Sequence, residues 1–175
     1  MDNHIENDRK PTTTYYFSTY SRDDAPEIVR SLSNPLIAKQ LRMVPTPYTM
    51  SNALEWFDNL EDEANHPDTA PIRWALRDKS SHKLIGDTSL RPTATCGTYS
   101  MGYWLAYEYW GQGIMTMVVS EVLDIVRKEI PKVKVVTAMV RELNGQSQRV
   151  LEKNGFQKVG EHMGTTVLWD YELKV

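Results

Sequence analysis

The chain has 175 residues, 41% of them hydrophobic and 25% charged, which is enough apolar material for the core of one compact α/β domain. Its net charge of −3 lacks the basic surplus that nucleic-acid-binding proteins usually carry, so no nucleic-acid partner is expected. Cys96 is the single cysteine, which excludes an internal disulfide and a zinc site made of cysteines. We therefore expect a reducing compartment and predict a cytoplasmic protein.

The start of the chain is polar and contains no apolar segment of the kind found in secretory signals. We expect a flexible tail over residues 1–12, followed by a single domain over residues 13–175. No stretch approaches the roughly 18 apolar residues of a membrane-spanning helix, so no membrane partner is expected.

The first half of the chain predicts one strand, two helices and a hairpin. Residues 14–20 are aromatic or β-branched, as in a strand, and Pro26 lies near the start of the first helix. Thr49 or Ser51 can cap the second helix. The apolar residues of that helix recur at helical spacing and are Ala53, Leu54, Phe57, Leu60 and Ala64. Alternating apolar residues then predict a strand from Ile72 and its hairpin partner over 84–91.

The second half predicts a strand over 100–106, a glycine turn and a long helix. An apolar run at 133–140 predicts a strand that is buried on both faces. A short helix over 146–153 and two strands joined at Gly164 complete the chain. Because a single helix connects the strands at 100–106 and 133–140, these two strands should be parallel neighbours in an otherwise antiparallel sheet.

The segment GYWLAYEYWGQGIMT, at 102–116, is the first of two informative motifs. A strand ends, Gly111 and Gly113 turn the backbone, and a helix begins at once. The first N–H groups of a helix lack partners within the helix, and the helix dipole adds positive charge there. The motif therefore predicts a phosphate or pyrophosphate site, although the same glycines also fit a tight turn without a ligand. A third glycine and a G-K-[ST] sequence are missing, which argues against dinucleotide-binding and Walker-type loops.

The segment NGQSQRVLEKNGF, at 144–156, is the second motif. Asn144 can cap the helix that follows, and Ser147 lies on its first turn. Gly155 and Phe156 then form a helix stop with an apolar anchor. Taken singly, Asn144 and Ser147 are also ordinary residues for the start of a helix.

Together and in this order, the two motifs closely resemble the GNAT acyltransferase superfamily and, more narrowly, its RimJ/RimL-type branch. The segments SRDDAPEI, SNPLI and VPTPYT near the start of the chain extend the resemblance over nearly the whole sequence. The resemblance implies the GNAT fold, an α/β (α+β) fold with about seven strands, one parallel splayed pair and about four helices. It also implies acetyl-CoA as co-substrate, no metal, and transfer to an amine, either a protein N-terminus or a small molecule, by a monomer or homodimer.

The resemblance also implies roles for individual residues. The backbone N–H groups that would hold the CoA pyrophosphate lie around Gly111, Gln112, Gly113, Met115 and Thr116. The residues whose backbone would pair with the pantetheine arm are Tyr103, Trp104 and Leu105. Asn144 would hydrogen-bond the pantetheine, and Ser147 would lie near the sulfur and act as the catalytic acid.

The sequence departs from the superfamily pattern at three positions. Trp110 stands where glutamine or arginine is usual, Met115 replaces a small residue, and Leu151 replaces a tyrosine that often protonates the thiolate. Many relatives also carry a glutamate on the strand at 100–106, and this one has none there. The residues that stay open as general base are Asp87, Glu108, Glu161 and His162. These departures keep two alternatives in view, a non-catalytic acyl-CoA-binding module and a purely structural interaction domain.

Overall fold

The structure is a computed structural model that describes residues 14–162 and 168–175. The tail predicted over residues 1–12 and the turn predicted at Gly164 lie outside the described residues. Seven strands form one sheet in the order β1-β2-β3-β4-β5-β7-β6. Their bounds are Tyr15–Ser18 (β1), Ile72–Asp78 (β2), Leu84–Pro92 (β3), Thr98–Leu105 (β4), Val135–Arg141 (β5), Gln157–His162 (β6) and Leu168–Lys174 (β7).

Five α-helices accompany the sheet in the described part of the chain. They are Ala25–Leu32 (α1), Pro35–Ala38 (α2), Met50–Ala64 (α3), Ile114–Glu129 (α4) and Gly145–Lys153 (α5). The sequence analysis missed α2, which is a single turn. Asn34 caps it by accepting a hydrogen bond from the N–H of Leu36, and Pro35 occupies its first position. Single 3₁₀ turns precede α1 and follow β4.

The predicted strand pairing is confirmed. The strands β4 and β5 are parallel, and every other neighbouring pair in the described sheet is antiparallel. The parallel pairing covers only three residue pairs, from Thr98 with Val135 to Ser100 with Thr137. Beyond Ser100, β4 remains paired with β3 but separates from β5. The sheet therefore opens between β4 and β5, as a splayed pair requires.

Each face of the sheet has its own core. The α4 face is the side on which Leu76, Leu90 and Val136 pack against α4, and the α3 face is the side on which Ala75 and Leu84 pack against α1 and α3. Burying each of these large apolar side chains stabilises the fold by roughly 1.5–3 kcal/mol. Because the two cores lie back to back, they hold the strands of the opening in place from both sides.

Two expectations about burial were wrong. In α3, Ala53 and Phe57 are buried as predicted, but Leu54 is 42% exposed and Ala64 is exposed too. Trp56 takes the vacant place in the apolar stripe, because positions 53, 56, 57 and 60 follow helical spacing more closely. The second error concerns β5, where burial alternates and Met139 is only partly buried. One face of β5 borders the opening, so it lacks a covering layer.

Gly86 explains how closely β3 approaches β4 beside the opening. It pairs with Leu105, and a Cβ atom at Gly86 would lie 2.5 Å from the carbonyl oxygen of Trp104. Any other residue would push the two strands apart at the edge of the opening.

Candidate active site

A groove of about 760 Å³ runs through the opening between β4 and β5. The N-terminal ends of α4 and α5 border it on the α4 face. The segment 37–44 borders it on the α3 face, where the guanidinium of Arg141 donates to the carbonyl of Leu41 at 3.2 Å. The residues predicted from the resemblance that line this groove are Tyr103, Trp104, Leu105, Gly111, Gly113, Met115, Thr116, Asn144 and Ser147.

The glycine turn before α4 exposes the start of that helix to the groove. Gly111 and Gly113 have φ angles of 74° and 75°, in the left-handed region, and apart from the residues adjacent in the chain no described residue has a heavy atom within 4 Å of a Cβ built at either position. Gly113 is the N-cap of α4 and gives it no side-chain cap, and the first turn contains no acidic residue. The N–H groups of Ile114 and Met115 therefore have no partner within the helix. These features fit an anion such as a pyrophosphate.

The two unusual residues of this turn do not distort it. The indole N–H of Trp110 donates to the carbonyl of Leu105 at 2.8 Å, which ties the turn to the end of β4. Met115 is 7% exposed and packs into the core of the α4 face, so its bulk lies within the core. Gln112 does not line the groove, because its side-chain amide folds back and donates to the carbonyl of Glu108 at 3.0 Å.

Hydrogen bonds hold α5 against its neighbours. The side-chain amide of Asn154 donates to the carbonyl of Thr116 on α4 at 3.2 Å. The phenol of Tyr103 on β4 donates to the carbonyl of Ser147 at 3.3 Å. Burial raises the pKa of Tyr103 well above its ordinary value, so the phenol stays a neutral donor. The groove wall formed by α4, α5 and β4 is therefore fixed at both of its seams.

Asn144 and Ser147 lie together at the start of α5. The side-chain oxygen of Asn144 accepts a hydrogen bond from the N–H of Ser147 at 3.2 Å, so Asn144 caps the helix. No described residue hydrogen-bonds with the Ser147 hydroxyl. Leu151, one turn further along, is fully buried in the core and offers no proton. Arg149 and Lys153, which the sequence analysis did not single out, also line the groove and add positive charge to its wall.

The four candidate bases have different surroundings. Asp87 on β3 lines the groove, and its Oδ2 accepts a hydrogen bond from the Tyr20 phenol at 2.7 Å. Burial raises the pKa of Asp87 to about 6, although the Tyr20 hydrogen bond and the charge of Arg73 oppose this effect. The sequence analysis missed Tyr20, because it lies 67 residues from Asp87 and no local pattern connects them.

The other candidates are less suited to act as a base. Glu108 is ion-paired with Arg30 at 2.8 Å and does not line the groove. A backbone hydrogen bond and this ion pair lower the pKa of Glu108. Glu161 is exposed on β6, also away from the groove. The side chain of His162 lies outside the described residues.

Residues 14–162 and 168–175 contain neither a cluster of metal ligands nor a helix that could span a membrane. No three His, Cys, Asp or Glu side chains in these ranges come together as a metal site. None of the helices there is long and apolar enough to cross a membrane.

Comparison with solved structures identifies the fold. The ribosomal-protein-S5-alanine acetyltransferase from Vibrio fischeri has a TM-score of 0.78 and 21% identity, over 93% of this chain and 94% of that one. Spermidine N-acetyltransferase from Vibrio cholerae, solved with CoA and spermine, has a TM-score of 0.73 and 17% identity, over 93% and 96% of the two chains. RimJ from Mycobacterium smegmatis, solved with CoA-disulfide, has a TM-score of 0.77 and 16% identity, over 91% and 81%.

The family follows from comparison of the sequence. No curated protein sequence matches the chain. The family model described as "Acetyltransferase (GNAT) domain" matches residues 16–157, which is most of the chain and includes both motifs. The chain belongs to the GNAT family of acetyltransferases.

Proposed function

We propose that this protein transfers the acetyl group of acetyl-CoA directly to a primary amine while both substrates are bound in one groove. The observation that carries this proposal is the passage between β4 and β5. It joins an uncapped helix start on the α4 face to a second chamber on the α3 face. A co-substrate and an acceptor can approach each other there from opposite faces of the sheet.

The chain offers a complementary group for each part of the co-substrate. The backbone around Gly111, Gln112 and Gly113, with Met115 and Thr116, supplies N–H donors and helix-dipole charge for the pyrophosphate. The edge of β4 that separates from β5, at Tyr103, Trp104 and Leu105, is free to pair with an extended amide-bearing arm. Asn144 lies beside it, and its Nδ2 has no acceptor among the described residues. The open space beyond both glycines leaves room for the phosphates.

The chemistry requires a stabilised oxyanion and a protonated sulfur. Acetyl-CoA supplies a thioester whose carbonyl carbon is attacked by the amine. A backbone N–H at the edge of β4 can stabilise the developing negative charge, an effect worth roughly 3 kcal/mol for one donor. Ser147 can donate its hydroxyl proton to the sulfur. A thiol with a pKa of about 8.5 leaves readily, so the contribution of Ser147 should be modest.

The acceptor and the branch of the family are also proposals. The motifs favour the RimJ/RimL-type branch. Among the structural neighbours, one is named for acetylation of a protein alanine and one for acetylation of spermidine. We therefore propose a protein N-terminus or a small amine as acceptor. We also propose a cytoplasmic monomer or homodimer without nucleic-acid, membrane or metal partners.

Thermal unfolding with acetyl-CoA, CoA, ATP and NAD in parallel tests the co-substrate. Saturation with acetyl-CoA or CoA at about 100 times Kd should stabilise the fold by about 2.7 kcal/mol and raise the melting midpoint by roughly 5–10 °C. ATP and NAD should leave the midpoint unchanged. Acetylation of peptides with N-terminal Ala, Ser or Thr, and of spermidine, is then measured by mass spectrometry. A midpoint shift without acetylation of any amine would indicate the non-catalytic binding module, and no shift at all would indicate the structural domain.

A further inference from the structure

We propose that Asp87 is the general base of the transfer and that it takes the proton of the acceptor amine on the α3 face, with Tyr20 as its positioning residue. This inference rests on the proposed function. It goes beyond the proposed function because it names the residue that accepts the amine proton. Many relatives carry a glutamate on the strand at 100–106, and this chain has none there.

The register of the sheet places Asp87 on the floor of the acceptor chamber. Residues opposite each other in an antiparallel pair point to the same face. The three pairs that share the α3 face and line the groove are Asp87 with Trp104, Ser89 with Gly102, and Arg91 with Ser100. Since Ser89, Gly102 and Ser100 are small, they leave an open path along the sheet toward the carboxylate.

Ser147 lies on the other side of the opening. Tyr103, whose phenol binds the Ser147 carbonyl, is adjacent to Trp104 on β4 and therefore points to the opposite face. The α5 helix packs on the α4 face through Leu151. Asp87 and Ser147 therefore reach the gap between β4 and β5 from opposite faces. A tetrahedral carbon in this gap would have its nitrogen toward Asp87 and its sulfur toward Ser147.

The hydrogen bonds of Asp87 leave one oxygen for the substrate. Oδ2 accepts from the Tyr20 phenol at 2.7 Å, and no described residue donates to Oδ1. The Tyr20 ring packs edge-on against Trp56, with ring centroids 4.9 Å apart, which holds the phenol in position. The carboxylate is thus oriented by one contact and open at the other oxygen.

Burial keeps Asp87 reactive near neutral pH, because it raises the pKa of the carboxyl more than the neighbouring groups lower it. Tyr20 and Arg73 lower the pKa of Asp87, and Tyr48 interacts with its charge. Arg73 and Asp24 also act on Tyr20. Arg73 makes a bidentate ion pair with Glu63, at 2.8 and 2.9 Å, and Asp24 is paired with Arg77. Among the described residues no cation forms an ion pair with Asp87, and its pKa of about 6 leaves it ionised at neutral pH but more basic than an exposed aspartate.

The protons balance in this scheme. The acceptor ammonium loses one proton to Asp87, and its nitrogen lone pair forms the C–N bond while the C–S bond breaks. The nitrogen then loses a second proton to the Ser147 oxygen as the amide forms, while the Ser147 hydroxyl gives its own proton to the sulfur. Of these two protons, one ends on the CoA sulfur, delivered by way of the Ser147 hydroxyl. The other returns to solvent from Asp87 through the groove.

The test compares Asp87→Asn and Tyr20→Phe with Asp124→Asn, a matched control at an exposed residue of α4 outside the groove. With a peptide acceptor, Asp87→Asn should lower kcat by roughly 10²- to 10⁴-fold and remove the acidic limb of the pH profile. Tyr20→Phe should keep most of kcat at high pH but move that limb to higher pH, because the lost hydrogen bond lowered the pKa of Asp87. Asp124→Asn should behave like the wild type.

A second readout is independent of turnover. Carbon-13 NMR of the Asp87 carboxyl should show a titration near pH 6 in the wild type, displaced upward in Tyr20→Phe. Unchanged acetyl-CoA stabilisation in each variant shows that the fold and the co-substrate site survive. Wild-type turnover by Asp87→Asn would overturn this inference alone. A wild-type protein that acetylates no amine would overturn the proposed function and this inference with it.

Discussion

The two sides of the groove are built in different ways. On the α4 face the groove is lined largely by residues of two short segments, 102–116 and 144–156, and it includes the uncapped backbone at the start of α4. On the α3 face it consists of side chains from β3, β4 and the segment 37–44, held by contacts such as Tyr20 with Asp87. On the proposed assignment of the two faces, this difference teaches that the shared co-substrate meets local backbone geometry, whereas the acceptor meets side chains from distant parts of the chain.

The largest expected effect is a loss of stability caused by a substitution on the α3 side. It should leave acetyl-CoA binding, proposed for the α4 side, unchanged. Asp24 is buried and receives a bidentate ion pair from Arg77, with both N–O distances 2.8 Å. Asp24→Asn would leave the partly buried guanidinium of Arg77 without its counter-charge and should lower the free energy of unfolding in urea by about 3 kcal/mol.

The same variant should leave the rise of the melting midpoint with acetyl-CoA unchanged, because Asp24 does not line the groove. Asp124→Asn, which removes an exposed ion pair with Arg127, is the control and should cost less than about 0.5 kcal/mol. A loss of acetyl-CoA binding in Asp24→Asn would show that the two sides are coupled.

The next effect concerns the backbone of the α4 side. Gly113→Ala should destabilise the fold by about 1–2 kcal/mol, because alanine is strained at a φ of 75°. Its methyl group would also enter the space assigned to the phosphates and should raise the Kd for CoA by roughly tenfold, measured by calorimetry.

Gly155→Ala is the matched control. Gly155 has a φ of 84° at the end of α5, so the strain is similar, but it does not line the groove. The control should therefore lose stability and keep its affinity for CoA. Equal losses of affinity in both variants would mean that strain alone, without a phosphate site, explains the result.

The smallest effect is expected at Ser147, the proposed catalytic acid. Ser147→Ala should lower kcat by about tenfold, less than a typical general acid contributes, because a thiolate is a good leaving group. The helix cap survives, since Asn144 bonds the backbone N–H at this position. Stopped-assay kinetics with a saturating acceptor measure the change, and a wild-type kcat would exclude Ser147 as the proton donor.

The sequence predicted what is local. The glycine turn, the α5 cap and the sequence of strands along the chain each follow from short patterns, and all of them occur in the structure. The positions of Asn144 and Ser147 beside the groove follow from the same motifs. Their chemical roles stay predictions.

What the sequence did not predict depends on tertiary packing. Leu54 is exposed because a different face of α3 meets the sheet. Trp56 lies on that face and packs on Tyr20 and Phe57. The strand β5 is buried on one face only, because its other face borders the groove. A run of apolar residues in the sequence does not reveal this groove. The distinction between Asp87 and Glu108 required their partners, Tyr20 and Arg30, which lie 67 and 78 residues away.

The burial of Asp87 has a consequence for the stability of the whole protein. Its folded pKa of about 6 exceeds its ordinary value of 3.8, so the folded state binds more protons than the unfolded state between these two pH values. Stability therefore falls as pH rises through this window and stays lower above it, by up to about 3 kcal/mol at neutral pH. The contribution of Asp87 to stability is therefore greatest in mild acid, where the proposed base is protonated and inactive, and part of it is lost at the pH where the carboxylate can accept a proton.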